Sequence, residues 1–289
     1  MKRNMPSRDD YISNLPESIM ETILIKLPLR DAVRTIDISP VALQNLISSC
    51  PLLESLDLVY DDTPKLTIHA PNLKFLNLEG DINGVCLEYT PKLVAIDVTI
   101  HMLTYGDDEH FGQISTSNFD KFLGGVPSLE RLIGRCYFTE VRCNTFGKKE
   151  MKYQQLKVIK LFDVSFDTMK EIMVLLRLIL NAPNLEELQI AGSWVSSSTT
   201  EAPADLDFWE KECLFDCTFE RLKMVKMMDM SGVPHEVGFI GFLLGKSPVL
   251  ETMSITPSKC MTKDRLSLLI LLTKLRRTSP EAEMIFVEN

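Results

Sequence analysis

The sequence PLLESLDL at residues 51–58 decides the fold, because variants of this phrase recur along the chain. Seven further copies are present, five opened by proline and two without it: PNLKFLNL (71–78), PKLVAIDV (91–98), PSLERLIG (127–134), QLKVIKLF (155–162), PNLEELQI (183–190), RLKMVKMM (221–228) and PVLETMSI (248–255). The first three copies begin at intervals of 20 residues, and the later ones lie farther apart. Such a repeat indicates a stack of similar units, regular at first and later interrupted by insertions.

Each copy has the spacing of a half-buried β-strand. In PNLKFLNL, Leu76 and Leu78 alternate with Asn77, so the two leucines point to one side of an extended strand and Asn77 to the other. Leu73 enters the same core from the preceding turn. One such strand cannot bury its apolar face alone, whereas stacked parallel copies form a continuous core. The pattern predicts an α/β fold, a leucine-rich-repeat solenoid with parallel strands, in preference to an ordinary α/β domain with leucine-rich strands.

The segments between the copies predict the returning parts of each unit. Residues 41–47 and 168–180 have helical periodicity. LTIHAPNL (66–73) and VCLEYTPKL (85–93) lie too close to their neighbours for helices, so we expect short strands on the second side of the stack.

Composition limits the classes of partner. The 289 residues are 45% hydrophobic and 25% charged, as in ordinary folded proteins, and the formal net charge is −9. No basic stripe is present, which argues against nucleic acid as the main partner. The longest apolar runs, such as 266–272, are shorter than a membrane span, so we expect no membrane partner.

The seven scattered cysteines and the polar N-terminal residues favour a reducing compartment. The cysteines lie mostly in or beside apolar stretches, as reduced and buried thiols do. The N-terminal sequence has no apolar region of a secretory signal. We therefore expect an intracellular protein, in the cytoplasm, the nucleus or both.

Residues 10–35, DYISNLPESIMETILIKLPLRDAVRT, differ from everything that follows. Pro16 suits a first helical turn, and Ile19, Ile23 and Leu27 recur at helical spacing up to Pro28. Residues 29–34 predict the start of a second short helix. The segment resembles the N-terminal part of an F-box, in the plant form D-x-I-S-x-L-P…L-P-x-x-D-A-V-R-T.

This F-box resemblance covers only part of the family's pattern. The family continues into a third helix with S-K-[KR]-W-R-x-x-W, whereas this chain runs from Ser39 to Pro40 and directly into the first repeat. We therefore interpret residues 1–39 as a partial F-box, with a helical hairpin that caps the repeats as the alternative. Residues 40–206 are the repeats with irregular insertions.

Residues 207–289 resemble the FBD domain that ends plant F-box proteins with leucine-rich repeats. The matching segments run in the family's order: Cys213-Leu214, a strand at 222–227, a helix at 237–244, a strand at 248–255, a long helix to Arg277 and a strand at 282–287. This resemblance implies an FBD-like α/β cap that continues the solenoid.

No pattern of catalytic, phosphate-binding or metal-binding residues is found. None of the four histidines has the spacing of a zinc-binding helix: His69, His101, His110 and His235. Cys213 and Cys217 have the spacing of half a zinc site, without a second pair nearby. We therefore predict no enzymatic activity, no cofactor and no metal.

The resemblance implies a substrate-receptor subunit of an SCF-type cullin–RING ubiquitin ligase, which binds a Skp-type adaptor, the cullin scaffold and a target protein. Adaptor binding falls on the N-terminal helices: Leu15, Pro16, Ile19, Ile23, Leu27, Pro28 and Val33. From the repeat geometry, target binding is expected at the polar positions between ladder leucines: Asp57, Asn77, Asp97 and Gln189. The alternative is a leucine-rich-repeat binding module that has lost ligase recruitment because its F-box is incomplete.

Overall fold

The structure, a computed structural model, describes residues 34–35, 40–60, 65–80, 84–99, 122–135, 153–166, 169–193, 209, 217–259 and 265–287. Its helices are α1 (Pro40–Ser48), α2 (Met169–Leu180), α3 (Pro234–Lys246) and α4 (Arg265–Thr273). Its strands are β1 (Arg34–Thr35), β2 (Ser55–Tyr60), β3 (Leu66–His69), β4 (Phe75–Gly80), β5 (Val85–Tyr89), β6 (Ala95–Thr99), β7 (Arg131–Arg135), β8 (Val158–Val164), β9 (Glu187–Gly192), β10 (Met224–Met230), β11 (Thr252–Pro257) and β12 (Glu283–Phe286).

Ten of these strands form one parallel sheet in the order β1-β2-β4-β6-β7-β8-β9-β10-β11-β12. Each of the eight repeat copies contributes one strand, so the predicted parallel arrangement of the copies is confirmed. The other two strands, β3 and β5, pair in parallel in a second sheet, which confirms the short strands predicted there. The chain is therefore a mixed α/β protein built around one large parallel sheet.

A shared hydrogen-bonding position aligns the beginnings of successive strands. The carbonyl of Glu54 accepts the N–H of Lys74 at 2.8 Å and that of Phe75 at 3.1 Å. The carbonyl of Lys74 in turn accepts the N–H groups of Val94 and Ala95, and the same arrangement recurs through β11. At the end of the series, Glu283 donates its N–H to the carbonyl of Glu251 at 2.9 Å. The strands are thus held in one common register.

Three apolar positions of each copy form the core behind the sheet. The position in the turn before each strand is buried in every copy: Leu53, Leu73, Leu93, Leu129, Leu156, Leu185, Leu222 and Leu250. The first inward strand position is buried as well: Leu56, Leu76, Ile96, Leu132, Ile159, Leu188, Val225 and Met253. The second inward position is buried in all eight copies, as Gly134 in one and as an apolar side chain in the other seven: Leu58, Leu78, Val98, Leu161, Ile190, Met227 and Ile255. Burying a leucine side chain contributes about 1.5–3 kcal/mol, so these rows are the main source of stability.

Two strand–helix–strand units, β8-α2-β9 and β10-α3-β11, have the same local construction. Tyr153 donates its N–H to the carbonyl of Asn181 at 3.1 Å, and at the corresponding place Phe219 donates to Lys246 at 2.7 Å. The pairing register shifts near the end of β8 and near the end of β10, the first strands of the two units. Each shift coincides with an aspartate of positive φ, which is Asp163 (58°) in β8 and Asp229 (56°) in β10. The second unit therefore repeats the first.

The structure corrects two expectations. Arg34, predicted to be helical, lies in β1, where parallel pairing with Asp57 holds it extended. The last helix ends at Thr273 and not at Arg277. The last strand, predicted at 282–287, is confirmed as β12, which pairs with β11. The other residues of the predicted F-box hairpin lie outside the described residues.

We expect Leu78→Ala to lower the free energy of unfolding by about 2–5 kcal/mol, because the side chain is fully buried and its removal leaves a cavity. The matched control Leu52→Ala changes a leucine that is 63% exposed and should alter stability by less than about 0.5 kcal/mol. Urea denaturation followed by circular dichroism measures both. Equal effects would contradict the core position of Leu78.

Candidate functional site

The outward side of the large sheet carries the residues that sequence analysis selected for target binding. Hydrogen-bonding register places one residue of each strand in a line, which we call the central row: Arg34, Asp57, Asn77, Asp97, Ile133, Lys160, Gln189, Lys226, Ser254 and Ile285. The four predicted residues all lie in this row and are all partly exposed. The structure brings them onto one surface, and their role in binding stays a prediction.

Two parallel rows flank the central row on the same side, because alternate residues of a strand share a face. The leading row lies two residues earlier: Ser55, Phe75, Ala95, Arg131, Val158, Glu187, Met224, Thr252 and Glu283. The trailing row lies two residues later: Val59, Glu79, Thr99, Arg135 and Phe162. We call these three rows together the sheet face.

The part of the sheet face on β2, β4 and β6 is acidic. The Nδ2 of Asn77 donates a hydrogen bond of 2.8 Å to the Oδ1 of Asp57, which fixes the amide between two aspartates of the central row. Burial raises the pKa of Asp97, the positive charge of Arg135 opposes this, and the negative charge of Asp57 adds to it. These carboxyl groups therefore act on one another across two strands.

The part of the sheet face on β7, β8, β9 and β10 is rich in cations. The Nζ of Lys160 lies 3.2 Å from the Oε1 of Glu187 on the next strand. The Nε of Arg135 lies 3.3 Å from the Oδ2 of Asp163, and its guanidinium stands 5.9 Å from the centre of the Phe162 ring. These contacts hold Lys160 and Arg135 against the sheet.

Four cationic residues of the sheet face were missed by sequence analysis: Arg131, Arg135, Lys160 and Lys226. The missed apolar residues are Phe75 and Met224, which are 46% and 39% exposed. The alternation that selected Asp57 would also have selected these residues, had it been applied to every copy and to all three outward positions. The signal was present in the sequence.

Charged residues stand just before most strands of the large sheet and border the sheet face. Three ion pairs join neighbouring copies: Glu54–Lys74 at 3.0 Å, Glu130–Lys157 at 3.2 Å and Lys223–Glu251 at 3.3 Å. The side chains are about half exposed, so each pair contributes at most about 1 kcal/mol. Each of these pairs nevertheless places opposite charges on adjacent strands, which favours the observed strand order.

The described residues hold no group of histidine, cysteine or acidic side chains that could bind a metal ion. Of the histidines considered above, His69 stacks on Tyr89 with ring centres 5.0 Å apart, and His235 is buried in α3. His101, His110 and Cys213 lie outside the described residues. Cys217 is buried.

Glu236, next to His235 in the sequence, binds the residues that precede the N-terminus of α3. Its carboxylate accepts hydrogen bonds from the N–H and Oγ of Ser231 at 3.2 and 2.9 Å and from the N–H of Gly232 at 2.5 Å. Burial raises the pKa of Glu236, although these hydrogen bonds act in the opposite direction. The contacts are those of a helix cap, because they satisfy N–H groups just before the first turn.

The residues predicted to bind the adaptor lie outside the described part of the chain: Leu15, Pro16, Ile19, Ile23, Leu27, Pro28 and Val33. No helix in the described residues is long and apolar enough to cross a membrane.

Comparison with known proteins identifies the family. Residues 210–255 match the FBD family, a segment that contains β10, α3 and most of β11. The chain is 41% identical over 254 residues to an F-box/FBD/LRR-repeat protein of Arabidopsis thaliana, across 87% of this chain and 60% of the relative. The chain belongs to the plant F-box/FBD/LRR-repeat family.

A second F-box/FBD/LRR-repeat protein of Arabidopsis thaliana is 25% identical over 263 residues, across 86% of this chain and 58% of the relative. The chain thus spans about three fifths of the length of these relatives. Since β10 and β11 belong to the same sheet as the repeats, the sheet face of this F-box/FBD/LRR-repeat protein runs from the repeats into the FBD segment.

We expect Asp97→Asn to change how stability depends on pH. The pKa of Asp97 is raised in the folded chain, so its contribution is present below the unfolded value, near 3.8, and is lost as pH rises through the folded pKa. Asparagine does not titrate there. The free energy of unfolding of D97N relative to the wild type should therefore increase between about pH 4 and neutrality.

Urea denaturation at several pH values measures this difference. Arg135→Gln is the matched variant, because it removes the positive charge that opposes the rise in the pKa of Asp97. The pH-dependent difference in unfolding free energy should therefore be larger between R135Q and R135Q/D97N than between the wild type and D97N. Parallel stability curves for D97N and the wild type would show that Asp97 titrates normally.

Proposed function

We propose that this chain is a non-catalytic substrate-receptor subunit of an SCF-type cullin–RING ubiquitin ligase, acting in the cytoplasm or nucleus. In this proposal residues 1–39 are a partial F-box that binds a Skp-type adaptor on the cullin scaffold. Residues 40–206 and the FBD-like segment 207–289 form one leucine-rich-repeat solenoid that holds a target protein. The family membership and the names of both relatives support this function.

The observation that carries the target-binding part is the sheet face. Hydrophobic residues fill the inner side of the sheet, while the outer side presents polar, charged and partly exposed aromatic residues in continuous rows. A broad surface of this kind suits a protein partner better than a small molecule, which is usually enclosed in a concave pocket. Asp57, Asn77, Asp97 and Gln189 are its proposed target contacts.

The adaptor-binding part follows from the sequence of the N-terminal segment. Leu15, Ile19, Ile23 and Leu27 recur as one apolar stripe, as expected for a helix that lies in an apolar groove of a partner. The receptor would then contribute to ubiquitin transfer through proximity alone, by holding a lysine of the target near the loaded carrier.

A second candidate function is a leucine-rich-repeat binding module without ligase recruitment. One feature of the sequence favours this binding module. Pro40, which begins the first repeat, directly follows Ser39, where the F-box family continues into a third helix. Both functions use the sheet face, and they differ only in whether the N-terminal segment binds the adaptor.

We expect the full chain to retain a purified Skp-type adaptor in a pull-down and Ile19→Glu/Ile23→Glu to abolish retention, because two charges would enter the apolar contact. Substitution is preferable to deletion of residues 1–39, since deletion would remove β1 and its pairing with β2.

The matched control is Val41→Glu/Leu52→Glu, which places the same charges at positions 71% and 63% exposed in α1 and the following turn. It should retain the adaptor fully. Absence of retention by the unsubstituted chain would favour the binding module. Equal retention by all three proteins would show that the apolar stripe is not the contact.

A further inference from the structure

We propose that the sheet face docks a protein segment whose charge is divided along its length, with basic side chains over β2, β4 and β6 and acidic side chains over β7, β8, β9 and β10. This inference rests on the proposed function, in which the same face holds the target. It assigns the charge pattern and the orientation of the partner across the strands.

The first half of this surface attracts cations. The three rows place nine outward residues on β2, β4 and β6, of which three are acidic and none is basic: Asp57, Glu79 and Asp97. Arg34 stands opposite Asp57 on β1, at the border of this half.

The second half attracts anions. Its rows carry four cations and one acid on β7, β8, β9 and β10: Arg131, Arg135, Lys160, Lys226 and Glu187. Two of the cations have the partners described above. Arg131 and Lys226 form no ion pair within 4 Å among the described residues. The formal charge of the sheet face therefore changes sign between β6 and β7.

Apolar residues lie among the charges of both halves. Ile133 on β7 and Val158 and Phe162 on β8 are partly exposed, and Phe75 lies within the acidic half at 46% exposure. A nucleic acid would meet repulsion over half of this face because its backbone is uniformly negative. A protein segment can match both signs and cover these apolar residues, so charge complementarity favours a protein as the occupant.

Strand spacing sets the length of that segment. Asp97 and Lys226 occupy the central row on β6 and β10, which are four strand intervals apart. At about 4.8 Å per interval the two positions are about 19 Å apart, which an extended chain spans in about six residues. A segment crossing the strands thus needs a basic cluster and an acidic cluster about six residues apart.

Two synthetic peptides of equal composition test this requirement. The block peptide has three lysines, a short apolar spacer and three glutamates, and the mixed peptide alternates the same charges. Fluorescence anisotropy with the full chain at low ionic strength should show binding of the block peptide about tenfold tighter than that of the mixed peptide. Raising the salt to about 0.5 M should remove the difference.

Charge-reversal variants locate the two contacts. Asp57→Lys/Asp97→Lys and Arg131→Glu/Lys226→Glu should each reduce the preference for the block peptide to about twofold or less. Glu88→Lys and Lys274→Glu are matched controls, exposed on β5 and just after α4, and should keep the preference. Circular dichroism confirms that each variant is folded before its binding is compared.

Equal affinity of the folded wild-type chain for both peptides would overturn the proposal, as would a preference that survives both charge reversals. Tighter binding of a short single-stranded oligonucleotide than of the block peptide would also overturn it. The adaptor pull-down gives an independent result. If the adaptor is retained but the peptides are not distinguished, this inference fails while the receptor function stands.

Discussion

The arrangement depends on one backbone constraint, the carbonyl before each strand that accepts the first N–H groups of the next strand. Glu54, Lys74 and the corresponding residues up to Glu251 supply this acceptor. Because every strand starts from the same reference point, equivalent side chains of successive copies come to lie in rows. The leucine rows then form the core on one side, and the polar rows form the sheet face on the other. Without a common start, a slip of one residue would exchange the two sides.

The two sides of the sheet serve different purposes. The inner rows tolerate only apolar residues of suitable size, whereas the outer rows are free to vary in charge. In this chain the outer rows change from acidic to basic between β6 and β7, at the place where Asp97 and Arg135 influence each other. The charge of the sheet face is therefore set by residues that do not take part in the core.

Much of the fold could be predicted from the sequence, because the ladder phrase fixes both the strand and the direction of its side chains. Prediction failed where local periodicity and strand pairing disagree. Arg34 follows a segment of helical periodicity but is held extended by its pairing with Asp57. β12 was predicted as a strand although Ala282 stands near the place of a ladder leucine. The four predicted contacts lie in one row because the same alternation places all of them. The cations were missed because the alternation was applied only to the middle outward position of four copies. That the cations share one surface with the acidic residues follows from the pairing register.

The repetition of β8-α2-β9 in β10-α3-β11 makes this part of the chain modular. The FBD segment has the same local construction as the unit before it, including an aspartate of positive φ. Each strand bonds only with its two neighbours, so inserting or removing one complete unit between two carbonyl acceptors would leave the contacts inside the other units intact.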